Sequence, residues 1–175
     1  EGLAEAFTKL EEAKLRVTIM LLTYTPTLDH PRAEYARRTL TGALSNLRPG
    51  PDVELRLHIA DDGSPEGHVE TLKSYAQAAY PGIEITTSNA ERGGYGHSYN
   101  LACQAVHDST DFVLALEDDW QLMRPLELTP LVRALTESYK AVATNPTHWI
   151  RCIRLGYLGF NTEITGRLVE WAEQK

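Results

Sequence analysis

The sequence predicts an α/β domain in which a mostly parallel sheet carries helices on both faces. Short β-branched and apolar runs alternate with longer segments whose apolar residues recur at helical spacing. The run DFVLAL at 111–116 is apolar on both faces that a strand would present, as is typical of a central strand in a parallel sheet. Polar residues directly follow three of the runs, and the carboxyl ends of parallel strands would gather them at one edge.

The strands are predicted from apolar runs bounded by turn residues. RVTIMLLT is β-branched and apolar, VELRLHIA alternates after the break RPGPD, and IEITTS follows the break YPG. The predicted strands are 16–23, 53–60, 83–88, 111–116 and 148–155.

The helices are predicted from apolar residues spaced three and four positions apart. Ala36, Leu40, Ala43 and Leu47, for example, fall on one face of a helix. The predicted helices are 3–15, 33–47, 66–79, 96–107, 129–142 and 163–173.

Composition limits the classes of partner. The net charge of −7 argues against a broad binding surface for nucleic acid or anionic membranes. No window approaches the roughly 20 apolar residues of a membrane-spanning helix, so no transmembrane segment is expected. Cys103 and Cys152 lie within predicted elements without a metal-like spacing, and we expect two separate core thiols. The cytoplasm is the expected compartment.

Three predicted strands end in distinctive polar residues, and in a parallel sheet these ends line one cleft. They are Thr23, Tyr24 and Thr25 after the first strand, Asp61 and Asp62 after the second, and Glu117, Asp118 and Asp119 after the fourth.

The three consecutive acids call for a compensating cation. Two carboxylates about 4 Å apart repel by about 4 kcal/mol at an effective dielectric constant of about 20. In extended backbone Glu117 and Asp119 point to one side and Asp118 to the other. Such hard oxygen ligands suit Mg²⁺ or Mn²⁺, which would stabilise a departing diphosphate as a Lewis acid. The alternative is an acidic loop that caps a helix.

Two further segments each allow a functional and a structural interpretation. In ADDGSPEG a carboxylate could accept the imide N–H of a pyrimidine base or bind a ribose hydroxyl, whereas Ser64 is expected to cap the next helix with Pro65 in its first turn. In ERGGYGHSYNLA the amides at a helix start could bind an anion such as a diphosphate, and His97 could meet a phosphate. The alternative is a flexible glycine-rich loop, since the spacing is not that of a P-loop.

Together these motifs resemble the nucleotide-sugar-binding half of GT-A glycosyltransferases, most of all family 2. VTIMLLTYT is similar to the first strand of the family, with Thr23 and Tyr24 matching and Thr25 in place of the usual Asn. IADDGSPEG resembles the second motif, which implies that Asp61 or Asp62 contacts the base.

The glycine-rich segment resembles the Asn-x-Gly of the family followed by Ala-Arg-Asn. Gly94 and Asn100 match, and Arg92, Ser98 and Tyr99 replace the usual Asn, Ala and Arg. The resemblance implies that Arg92 and Gly94 bind the nucleotide sugar.

LEDDW occupies the place of the metal-binding Asp-x-Asp, in a form similar to that of N-acetylglucosaminyltransferases of this fold. The likeness implies that Asp119 ligates the metal, while Glu117 and Asp118 serve the ribose, or the metal through water.

The resemblance also implies how the domain is organised. We expect a lead-in helix at 1–15, a GT-A nucleotide-sugar-binding core at 16–125, and the remainder of the same domain, with part of the acceptor side, at 126–175. Inverting members use a carboxylate base in the second half, where Glu163 is the candidate by position. The stronger alternative for Glu163 is a first-turn acid that favours the helix dipole.

The function implied is transfer of a sugar from a nucleoside-diphosphate sugar, with a UDP-sugar favoured, to an unidentified acceptor hydroxyl. A divalent cation (Mn²⁺ or Mg²⁺) and inversion of the anomeric centre belong to that implication. One alternative is a non-catalytic nucleotide-sugar-binding or scaffold domain. The other is a sugar-1-phosphate nucleotidylyltransferase, whose glycine-rich first loop has no counterpart in TYTPTLDHPR.

Overall fold

The computed structural model describes residues 14–89 and 91–142. The predicted strand 148–155, the predicted helix 163–173, Cys152 and Glu163 lie outside the described residues, as does all but the end of the predicted helix 3–15. The strands are β1 (Leu15–Thr23), β2 (Leu47–Arg48), β3 (Val53–Asp61), β4 (Glu84–Asn89), β5 (Phe112–Glu117) and β6 (Leu126–Glu127), and the helices are α1 (Pro31–Asn46), α2 (His68–Ala79), α3 (Tyr95–Val106) and α4 (Leu128–Val142).

The main sheet is parallel throughout and has the order β4-β3-β1-β5. The chain builds outward from β1 through β3 to β4, and then returns to place β5 on the other side of β1. This reversal creates a topological switch point between β1 and β5, where open α/β sheets bind their ligands. The register sets Thr23 opposite Asp61 and Leu22 opposite Glu117, so the three polar strand ends meet at this point.

Helices cover both faces of β1, which confirms the predicted fold class. Met20 and Leu22 pack with Ala102 of α3 on one face. Ile19 and Leu21 point to the opposite face and are fully buried. On that second face the hydroxyl of Thr23 lies 2.9 Å from Nε2 of His68, the first residue of α2.

The position of β5 differs from the prediction. Within the described residues it ends the sheet, and Val113 on one of its faces is 43% exposed. Apolar composition predicted a strand covered on both faces, but composition does not distinguish a central strand from an edge strand whose second face has few neighbours.

The remaining elements follow the predicted order, and each described helix and long strand lies within a few residues of its prediction. The short parallel pair of β2 and β6 was missed because two residues show no periodicity. Cys103 in α3 is a half-buried free thiol. No described helix has the length and apolar character needed to cross a bilayer.

The chain divides into two compact units, Glu1–Leu128 and Thr129–Lys175. The main sheet and α1 to α3 belong to the first unit, and the structure describes the second as far as Val142. The predicted boundary at residue 125 stays a prediction.

Candidate functional site

A cleft of about 250 Å³ opens at the carboxyl ends of the central strands. It brings together most of the residues predicted from the sequence, and Thr25 and Asp61 lie behind its wall instead. The predicted residues that line it are Thr23, Tyr24, Asp62, Arg92, Gly94, Glu117, Asp118 and Asp119. Sequence reasoning did not select Arg32 or Tyr95, which also line the cleft.

Asp118 is the buried member of the acidic triplet, at 3% exposure. Its Oδ2 accepts the backbone N–H of Tyr24 at 3.1 Å, and its Oδ1 accepts Nη2 of Arg32 at 2.9 Å. Its carbonyl oxygen accepts the hydroxyl of Thr39 at 3.1 Å. Asp118 thus ties the end of β5 to the end of β1 and to α1, and both of its carboxylate oxygens are in use.

Glu117 and Asp119 are exposed and differ in their contacts. Partial burial together with the charge of the nearby Glu117 raises the pKa of Tyr95. Within the part of the chain that the structure describes, Asp119 has no hydrogen-bond or ion-pair partner. Among the described residues, Arg32 is the cation that pairs with the triplet, through Asp118, and the carboxylate of Asp119 lines the cleft without a partner there.

The donor set suits a hard divalent cation. No group of three His, Cys, Asp or Glu side chains converges among the described residues. Mg²⁺ needs no such cage, because it is usually held by one or two carboxylates together with substrate phosphates and water. Asp119, with Glu117 beside it, meets this description. Asp118 is less accessible to such an ion, since it is buried and each of its oxygens already accepts one hydrogen bond.

Asp62 holds the glycine-rich loop before α3. Its Oδ1 accepts the N–H groups of Gly93 at 2.9 Å and Gly94 at 3.0 Å, and the hydroxyl of Ser98 at 2.8 Å. Burial raises the pKa of Asp62, but these hydrogen bonds outweigh it and keep the pKa below its usual value. The sequence analysis considered backbone amides of this loop as donors to a ligand anion. Those of Gly93 and Gly94 donate to the carboxylate of Asp62 instead.

Asp61 is buried in the turn behind the cleft, at 4% exposure. Its Oδ2 accepts the N–H of Ser64 at 2.9 Å, while its Oδ1 is buried without a hydrogen-bond partner among the described residues. Thr25 is fully buried nearby, and its N–H donates to the hydroxyl of Ser64 at 3.0 Å.

The predicted cap of α2 is therefore wrong. The cap position of α2 is Gly67, which makes no side-chain hydrogen bond, and the helix begins at His68. The Ser64 hydroxyl instead accepts the backbone N–H of Thr25, and this hydrogen bond links the turn to the end of β1. Pro65 precedes the helix rather than lying in its first turn.

Arg92 covers the ring of Tyr24. Its Cζ lies 4.0 Å from the ring centroid, and its Nη1 donates to the Tyr24 hydroxyl. On the other side of the loop, Tyr95 stacks on Tyr99 with centroids 5.9 Å apart. His97 is exposed and does not line the cleft.

Replacing Gly63 by alanine is expected to destabilise the loop that carries Arg92. Gly63 has φ +82°, and an added Cβ would lie 2.9 Å from the backbone nitrogen of Arg92. The left-handed conformation and the clash together are expected to lower the free energy of unfolding by about 2–3 kcal/mol, measured by urea denaturation.

Gly82→Ala is the matched control. Gly82 has φ +83° but nothing within 4 Å of the added Cβ, so it tests the backbone conformation alone. It is expected to cost about 1 kcal/mol. Equal losses in the two variants would show that the contact between Gly63 and Arg92 has no energetic weight.

One comparison with known proteins gives a family. The model described as glycosyl transferase family 2 matches residues 24–163, which is most of the chain. The match runs beyond Leu122, where the motifs recognised in the sequence end. No curated protein matches the chain. Among solved structures, the crystal structure of mouse xyloside xylosyltransferase 1 in its apo form is similar at 13% identity and a TM-score of 0.48, and the match covers 85% of this chain and 65% of that one.

Proposed function

The chain belongs to glycosyl transferase family 2, and on that basis we propose that it transfers a sugar from a nucleoside-diphosphate sugar to an acceptor hydroxyl. A UDP-sugar donor, a requirement for Mn²⁺ or Mg²⁺, and inversion of the anomeric centre are parts of this proposal. The observation that carries it is the carboxylate of Asp119, which has no partner among the described residues and lies in a cleft at the switch point of the parallel sheet.

In this proposal the three acids of the triplet have different roles. Asp119 would hold the divalent cation, with Glu117 beside it, and such an ion, when bound, supplies positive charge that stabilises a leaving diphosphate. Asp118 keeps the ends of β5 and β1 together through Tyr24 and Arg32. This differs from the ribose contact that the resemblance implied for Asp118, because an oxygen that already accepts a hydrogen bond inside the protein is a poorer acceptor for a ligand.

The residues after β1 and β3 would receive the nucleoside. A direct contact of Asp61 with the base would require its turn to open, because its unpartnered Oδ1 is buried and Asp61 does not line the cleft. Tyr24 and Arg92 form an aromatic and cationic wall of the cleft. Asp62 would act indirectly, because it holds Gly93 and Gly94 in the conformation that presents Arg92.

Glu163 remains the proposed base that deprotonates the acceptor hydroxyl. It is the last residue of the family match and lies outside the described residues. The acceptor itself is left open as a polysaccharide, lipid carrier, protein, small molecule or modified nucleic-acid base.

Turnover of a donor panel tests the proposal. UDP-, GDP- and dTDP-sugars would each be incubated with the chain and Mn²⁺ or EDTA, and the released nucleotide measured with and without a mixture of sugar acceptors. We expect release of UDP from at least one UDP-sugar in Mn²⁺ and none in EDTA. Binding of the nucleotides without any release would instead identify a non-catalytic nucleotide-sugar-binding domain.

A further inference from the structure

Arg32 lines the cleft from the second position of α1. Its side chain is 47% exposed, and Nη2 donates to Oδ1 of Asp118 at 2.9 Å. Among the described residues this is the one hydrogen bond that its guanidinium makes. Arg32 belongs to none of the motifs found in the sequence. The contact with Asp118 uses only one of the N–H donors of its guanidinium.

The hydrogen bond to Asp118 orients the guanidinium of Arg32, and the other N–H groups of the guanidinium make no hydrogen bond within the described residues. A guanidinium carries five N–H donors in a rigid plane, and one amino group is held here by Asp118. The exposed half of the side chain leaves the remaining donors accessible from the cleft. Because Asp118 already fixes the plane, a second oxygen ligand would bind with little further loss of side-chain entropy.

The surroundings select the chemistry of that ligand. The amides of Gly93 and Gly94 are taken by Asp62, so these two groups are not available to an anion. Arg92, the other cationic side chain of the cleft, already stacks on Tyr24 and donates to its hydroxyl. Arg32 and Arg92 each make one guanidinium hydrogen bond among the described residues, and Arg32 is the one of the two that an ion pair orients, with its remaining donors in the geometry that phosphate oxygens match.

We propose that Arg32 is a phosphate-binding residue of this site, in which one amino group holds Asp118 and the free N–H groups donate to an oxygen of the donor diphosphate. The proposal rests on the proposed function. The competing explanation is that Arg32 serves only as the structural partner of Asp118.

A phosphate series separates the two explanations. Dissociation constants for nucleoside, monophosphate and diphosphate would be measured by calorimetry, with uridine and guanosine compounds, in Mn²⁺ and in EDTA. The proteins are wild type, Arg32→Gln, Asp118→Asn and the double variant, and thermal unfolding reports whether each is folded. Arg37→Gln is the matched control, because Arg37 lies in the same helix, pairs with Glu34 and does not line the cleft.

We expect Arg32→Gln to lower the affinity for the diphosphate by about ten- to 100-fold, since a hydrogen bond to a charged group is lost. The affinity for the nucleoside should stay nearly unchanged. Asp118→Asn keeps one acceptor oxygen and should therefore lose less diphosphate affinity than Arg32→Gln, and adding Arg32→Gln to it should bring a further loss. Arg37→Gln should match wild type. If Arg32→Gln does not fold, Arg32→Lys retains the ion pair but loses the planar fork, and should weaken the diphosphate more than the nucleoside.

Two results would overturn the proposal while leaving the proposed function intact. One is an Arg32→Gln variant whose affinity for the nucleoside falls by the same factor as its affinity for the diphosphate. The other is an Asp118→Asn variant that loses as much diphosphate affinity as Arg32→Gln, with no further loss in the double variant. A wild type that binds none of the nucleotides would overturn the proposed function as well, and that outcome is recognised without any variant.

Discussion

Asp119→Ala is expected to lower metal-dependent turnover of the donor by at least about 100-fold. Asp119 presents to the cleft a carboxylate that no other described residue binds, whereas Asp118 is buried and hydrogen-bonded to Tyr24 and Arg32. A divalent cation contributes several kcal/mol of charge stabilisation, and every ~1.4 kcal/mol is a factor of ten in rate. The measurement is the rate of nucleotide release from the best donor of the panel as a function of Mn²⁺ concentration.

The control for Asp119→Ala is Asp108→Ala. Asp108 is exposed, follows the far end of α3 and contacts His107, so its removal changes the net charge equally without touching the cleft. Asp108→Ala should turn over at the wild-type rate. An Asp119→Ala variant that keeps wild-type turnover and the same Mn²⁺ dependence would remove Asp119 from the cation site, and Glu117 would be the next carboxylate to test.

Asp62→Ala is expected to have the largest effect on stability, about 2–4 kcal/mol of the free energy of unfolding. The substitution leaves the N–H groups of Gly93 and Gly94 and the hydroxyl of Ser98 without their acceptor. An unsatisfied buried polar group costs about 1–3 kcal/mol, and part of this loop reaches water, which limits the sum. Asp62→Asn keeps one acceptor oxygen and should lose less. Urea denaturation of the three proteins at pH 7 measures both losses.

The contribution of Asp62 should also depend on pH, with a sign that follows from its pKa. The folded pKa lies below the usual value of an aspartate, because the hydrogen bonds from the loop favour the charged carboxylate and outweigh the effect of burial. Its stabilisation is therefore fully present above the unfolded pKa and is lost as the pH falls through the folded one. The difference between wild type and Asp62→Ala should stay constant from about pH 7 to 5 and shrink below about pH 4. A difference that grows on acidification would contradict the assigned hydrogen bonds.

Local pattern was enough to predict the elements and the edge at which they place polar residues. Apolar runs and helical spacing predicted the order of the main strands and helices, and α1 begins at Pro31, two residues before its predicted start. Alternation along extended backbone separated Asp118 from Glu117 and Asp119, and the structure buries Asp118 while leaving the other two exposed. The resemblance to family 2 is confirmed by the family match over residues 24–163.

The contacts that decide each side chain's role join residues far apart in the chain, and local pattern could not predict them. Arg32 and Asp118 are separated by 86 positions, and Asp62 and Gly93 by 31. One signal for Arg32 was present in the sequence. A cation in the first turn of a helix opposes the helix dipole, so an arginine directly after Pro31 calls for a carboxylate partner. No comparable local signal showed that Asp62 would take the amides before α3.

Calorimetric titration of UDP and GDP into the wild-type chain, with Mn²⁺ and with EDTA, tests the central claim most directly. The account predicts a saturable one-to-one heat for at least one nucleotide in Mn²⁺, with affinity strongly reduced in EDTA, because a carboxylate site such as Asp119 needs the cation to hold a diphosphate. Absence of binding for both nucleotides in both conditions would contradict the account, and the strand-end acids would then be explained by their contacts within the protein alone.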